Sequence, residues 1–170
     1  MHASTPFLAD FRSTAASLSR VAWLSVLCGG LTIAAADLVY CVIWWSPQGV
    51  PPSRILQSIA SGVLGPASHQ GGATTALFGL VLQCFIATMF VVAYTLVASR
   101  LDALLRHPLR YGVAYGMLLL LLMNQVVVPL SAAPQSLHPN VAWMLGNIPA
   151  NAVFGVICAL TARRALHFHG

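Results

Sequence analysis

Neither lysine nor glutamate occurs in this sequence. Its charge rests on eight arginines and three aspartates among 170 residues, so only 6% of the chain is charged. The water-facing surface of a soluble domain needs about a quarter. A mean hydropathy of +0.82 and a hydrophobic share of 58% point the same way. A soluble globular domain is excluded. One helical bundle with little material outside a bilayer fits, at this length, as a single membrane domain over 1–170.

Other absences narrow the chemistry. The four cysteines, Cys28, Cys41, Cys84 and Cys158, fall in apolar runs and form no C-x-x-C pair, so each reads as a small hydrophobe. The six histidines, His2, His69, His107, His138, His167 and His169, lie in connections or tails, whereas a membrane haem takes its axial ligands from within the spans. No H-E-x-x-H, G-x-S-x-G or phosphate-loop pattern occurs. The chain therefore does not read as an enzyme, and no cofactor or metal is expected. His69 and His138 share one side of the membrane and read as outer-loop residues. The arginines stand at the edges of apolar runs rather than along one face, which argues against nucleic acid as a partner.

What is present is length and apolarity. A span needs about 20 apolar residues, and segments 21–45, 73–99, 109–130 and 142–161 qualify. The third contains MLLLLLM. The fourth is interrupted by Asn147, Pro149 and Asn151, and a kink is expected there. The resulting fold is all-α, a transmembrane four-helix bundle. Arg12, Arg20 and the small residues Ala34-Ala35-Ala36 also resemble a signal peptide. The apolar run continues past that site to Trp45, which favours an uncleaved anchor helix.

Orientation follows from loop arginines. Arg12, Arg20, Arg100, Arg106, Arg110, Arg163 and Arg164 fall on one side and Arg54 alone on the other, which places both termini in the cytoplasm. Trp44, Trp45 and Trp143 then mark the outer interface and Tyr111 the inner one. Between the first two spans, residues 53–65 repeat apolar side chains at Ile55, Leu56, Ile59, Val63 and Leu64, behind Ser53 as an N-cap. An amphipathic helix on the outer surface is the simplest reading, and a re-entrant segment capping the bundle is the alternative. His69-Gln70-Gly71-Gly72 follows as a flexible lead-in to the second span.

Asp37 lies well inside the first span, where an ionised carboxylate costs about 2.5 to 3.5 kcal/mol. No arginine lies at its depth, so it is protonated, bonded to neutral groups, or wet. At about 1.5 Å per residue, Asp37 sits about 12 Å below Trp45 and Gln83 about 15 Å below Ala73. Asn147 and Asn151 sit about 8 and 14 Å below Ala142, and Asn124 and Gln125 fall at a similar level. The last two point about 100° apart, so at most one joins this layer. Asp37 and Tyr40 share a helix face with Gly30 and Ile33, and Gly112 and Gly116 form a G-x-x-x-G contact surface. The candidate polar cavity is thus Asp37, Tyr40, Gln83, Asn124, Asn147 and Asn151. The first reading of the same groups is inter-helix glue, at about 0.6 kcal/mol each, and the outward-opening polar cavity is the alternative to it.

The segments GLTIAAADLVY, RILQSIASGVLG, GGATTALFGLVLQCFIATMFVVAY and YGVAYGMLLLLLMNQVVVPLSAAP resemble a family of small bacterial four-span membrane proteins. The last two spans, with Pro129 and Pro134 between them, are distantly similar to the YagU-type inner-membrane proteins. The resemblance implies four spans in a bacterial inner membrane and carries over no activity or catalytic residue. Members often carry histidine at the position of Gln83, so it assigns no titratable role there. The leading expectation is a non-enzymatic structural or accessory membrane protein. The alternative is a small-solute or proton-coupled transporter or channel subunit built around Asp37. The expected partners are the lipid bilayer and either further copies of the chain or other membrane proteins.

Overall fold

The structure, a computed structural model, describes residues 20–132 and 141–167. Arg12, Pro134, His138 and His169 lie outside them. Every regular element among the described residues is helical. In chain order these are α1 (Arg20–Trp45), a 3-10 turn (Ser46–Gln48), α2 (Pro52–Leu64) and a second 3-10 turn (Gly65–Gln70). Then come α3 (Gly72–Ala98), the short α4 (Asp102–Arg106), α5 (Pro108–Leu122), a π turn (Met123–Val127), α6 (Val128–Leu130) and α7 (Val141–His167). Four stretches are long and apolar enough to cross a membrane: α1 with its following turn, α3, the continuous Pro108–Leu130 stack, and α7. The chain is a multi-pass membrane protein. It is built as an all-α four-helix bundle with an amphipathic helix between the first two spans.

The long helices are apolar on every side because lipid covers whatever the protein does not. In hydrocarbon each backbone group must bond within its own segment, and a helix does this unaided. Leu24, Leu77 and Leu121 point outward into that solvent, while the interior is made of small residues such as Ala34, Ala87, Ala98, Ala159 and Ala162. Small side chains let backbones approach closely, and dispersion then replaces the hydrophobic effect as the attraction. α1, α3 and α7 pack pairwise, whereas α5 rests on α7. That last contact is the tightest. A Cβ on Gly112 would lie 2.8 Å from the Val156 Cα, and one on Gly155 would collide with the Gly112 carbonyl.

The aromatic residues mark the two ends. At one end Trp143 stacks on Tyr40 at 5.3 Å and meets Trp45 at 5.3 Å, which fastens the end of α1 to the start of α7. At that end too, the Ala132 N–H donates to the Gly62 carbonyl at 3.0 Å, tying the end of the third span to α2. Towards the opposite end, near α4, the Tyr115 hydroxyl donates to the Phe90 carbonyl at 2.8 Å and Tyr94 meets Tyr115 edge-on. The second and third spans therefore touch below and part above.

Three expectations change. Ser53 is not the N-cap of α2; Pro51 holds that position and Pro52 is the first helical residue. Proline suits that place because its fixed φ is helical and its missing N–H has no partner to lose. The buried side of α2 is Ile55, Gln57, Ala60 and Ser61, while Val63 and Leu64 are exposed. Its small and polar residues thus face α3, where Gly79 leaves room for the Leu56 carbonyl. The lead-in to the second span is also bonded rather than loose. Gln57 Nε2 donates to the Gly72 carbonyl at 3.0 Å, Thr75 Oγ1 to Ser68 at 2.7 Å, and Arg54 to His69 at 3.3 Å. Gly72 turns there with φ 60°, a conformation glycine adopts without a steric penalty. Gly79→Ala is expected to push α2 off α3 and cost about 1 to 3 kcal/mol. Faster proteolysis across residues 65–71, at unchanged helix content by circular dichroism, is the readout.

The third span carries an irregularity that the sequence did not announce. α7 runs through Pro149 as one helix, and it is the third span that opens into a π turn at Met123–Val127. Pro129 lacks the N–H for the carbonyl four residues back and its ring crowds that carbonyl. Widening one turn relieves the crowding.

Candidate functional site

A cavity of about 410 Å³ occupies the α2 half of the bundle, between α3 and the third span. α1 contributes Ile33 and Asp37; α3 contributes Leu82, Gln83, Ile86, Ala87 and Phe90. Leu119, Leu120, Met123, Asn124, Val127 and Val128 form the third-span wall, and α7 adds Trp143, Asn147, Asn151, Phe154 and Cys158. Ser58, Ile59, Gly62 and Val63 of α2, with Ser131, close it at the top. Phe90 and Cys158, further along their helices, and Leu119, earlier on its own, lie toward the α4 end and form its floor.

The cavity brings together Asp37, Gln83, Asn124, Asn147 and Asn151, five of the polar residues picked out from depth and facing. Every span supplies at least one of them. Asp37 and Gln83 are in direct contact: Gln83 Nε2 donates to Asp37 Oδ2 at 2.6 Å. Asn147 donates to the Trp143 carbonyl at 2.9 Å, Asn151 to the Asn147 carbonyl at 2.9 Å, and Asn124 to the Leu120 carbonyl at 2.8 Å. Asn124 projects from the π turn, a local geometry that recurs at functional positions. Gln125 is exposed and does not line the cavity, as the angle between the two side chains requires.

Tyr40 is not among the lining residues. Its ring belongs to the aromatic cluster with Trp44 and Trp143, and its hydroxyl lies buried against Gly146 with no hydrogen-bond partner. His69 stands in the turn before α3, away from the cavity. Its pairing with His138 falls outside the described residues. No group of three or more metal-ligating side chains occurs among the described residues.

Some of the lining was not legible. Ser58, Gly62 and Ser131 were missed, because a hydropathy pattern does not decide between a helix along the lipid surface and the alternative, a segment capping the bundle. The available signal was the run of small and polar residues Gln57, Ser58 and Ser61, an unusual face for a helix lying on lipid.

A second cleft, of about 440 Å³, lies between α1 and α7 and is lined by Ser25, Cys28, Gly29, Thr32, Thr161 and Arg164 among others. The two spaces have opposite characters. Among the described residues, the first holds a carboxyl group and no basic side chain, and the second an arginine and no acid.

No protein-family model, no curated protein and no solved structure matches this chain.

Proposed function

We propose that this chain is a non-enzymatic membrane protein that binds a small solute in the α2-capped cavity, as a transporter or channel subunit or its solute-binding accessory. The observation that carries this reading is the convergence of Asp37, Gln83, Asn124, Asn147 and Asn151 on one space with otherwise apolar walls. Sites for small molecules have this make-up: about 300 to 1,000 Å³, mostly apolar, with a few polar groups fixing orientation. Amides acting only as glue would bond from helix to helix. Here only Gln83 does so, and the three asparagines bond within their own helices.

The proposed setting is a bacterial inner membrane, with both termini cytoplasmic and the α2 end facing outward. The arginine distribution supports it, since Arg100, Arg106, Arg110, Arg163 and Arg164 belong to the α4 end and Arg54 to the other.

Native mass spectrometry of gently extracted protein tests the reading. Wild type is expected to retain a small molecule, and Gly62→Phe, which fills the cavity from its roof, to lose it. A Cβ at Gly62 meets nothing closer than 4.0 Å, and unchanged helix content by circular dichroism is the check that the fold survives. Wild type emerging with nothing bound would return the chain to a purely structural or accessory role.

A further inference from the structure

We infer that the solute held in this cavity is an organic cation, an ammonium group carrying an apolar body. The inference rests on the cavity being a binding site, as proposed above, and concerns what that site selects.

The orientation of the amides carries it. A backbone carbonyl can only accept a hydrogen bond, so an asparagine bonded to one must turn its NH₂ end towards it. Asn124, Asn147 and Asn151 are each bonded in this way to the carbonyl four residues back. Gln83 is fixed likewise, because its partner is the Asp37 carboxyl group. All four amides therefore spend an N–H on the protein, and no described residue donates to their oxygens. The second carboxyl oxygen of Asp37 is also left over. Each amide oxygen has two lone pairs against one remaining N–H, so the lining has more acceptors than donors.

Charge points the same way. Among the described residues no lysine, arginine or histidine lines the cavity, and the bond they make to the carboxyl group comes from a neutral amide. A carboxylate at this depth has no counter-ion among the described residues, and a cationic solute supplies one. An anion would face several oxygens and no positive group. A bare metal ion would satisfy the oxygens but make no use of the apolar walls. Phe90, Phe154 and Trp143 give those walls aromatic faces, which attract organic cations through their ring quadrupoles.

Three probes of one shape separate the possibilities: 3-phenylpropylammonium, the neutral 3-phenylpropanol and the anionic 3-phenylpropionate. Their binding is measured by equilibrium dialysis against the full chain in zwitterionic nanodiscs, with empty discs subtracted to remove partitioning into lipid. The ammonium is expected to bind about tenfold more tightly than the alcohol, and the carboxylate not at all. Asp37→Asn is expected to bring the ammonium down to the level of the alcohol, with the fold checked by helix content from circular dichroism.

Equal affinity of ammonium and alcohol, both lost in Gly62→Phe, would overturn the cation inference and leave the binding site standing. Tightest binding of the carboxylate would overturn it too. No binding of any probe above empty discs would remove the site and the inference together. Should Asp37→Asn lose alcohol binding as well, Asn151→Leu decides. A severalfold loss confined to the ammonium supports the inference, and equal losses overturn it.

Discussion

Replacing Gly155 by leucine is expected to detach the third span from the fourth and to lower the stability of the bundle by about 3 kcal/mol or more. The added Cβ would sit 2.8 Å from the Gly116 Cα and collide with the Gly112 carbonyl. Those atoms are backbone, so no rotamer change relieves the clash and one helix must move away from the other. The loss spreads because α5 rests on α7 and packs closely on no other long helix. Once displaced, it takes Leu119, Leu120, Met123 and Asn124 out of the cavity wall. Unfolding by steric trapping, with the trap on residues of α5 and α7, measures the effect. Gly62→Ala is the control, since its added Cβ meets nothing closer than 4.0 Å and is expected to change stability by less than about 1 kcal/mol.

The second large effect is an asymmetry within one hydrogen bond. Gln83→Leu is expected to destabilise the protein by about 1 to 3 kcal/mol, the cost of leaving a buried polar group unsatisfied. Asp37→Leu removes the group that is expensive to hold in the membrane, worth about 2.5 to 3.5 kcal/mol at a helix centre. It leaves behind only an amide that can turn into the cavity. That chain is therefore expected to be as stable as wild type or more so, and to retain no cation. Denaturation midpoints of both variants, set beside the double variant, test the claim. Equal destabilisation by the two single changes would mean that the pair is held for its bond rather than for the carboxyl group.

Much of this arrangement was legible, and the reasons are physical. The spans follow from apolar length, because a bilayer tolerates so few alternatives. The level of Asp37, Gln83, Asn124, Asn147 and Asn151 follows from a constant rise per residue, and their facing from a constant turn. Gly112 and Gly116 announced a close contact, although Gly155 as their counterpart could be recognised only once the helices were docked. What composition could not supply was which helices touch. The parting of α3 from the third span, the folding of α2 over the gap and the position of the π turn depend on packing between distant segments. Tyr40 shows the limit clearly. It shares a helix face with Asp37, yet its length carries its hydroxyl to Gly146 and its ring to Trp143.

The bond between the Ala132 N–H and the Gly62 carbonyl gives the cavity a hasp. The two long walls are joined at Tyr115 and Phe90 like the arms of a pair of tongs, and near the roof this main-chain link ties the free end of the third span to α2, which packs on α3. A hydrogen bond contributes about 1 kcal/mol, on the order of twice thermal energy. Side-chain substitutions leave such a fastening in place. Ala132→Pro removes the donor itself, and it is expected to raise both association and dissociation rates of a solute several-fold while leaving their ratio nearly unchanged. The fastening would thus set how quickly the cavity fills and empties, and the oxygens beneath it how firmly it holds.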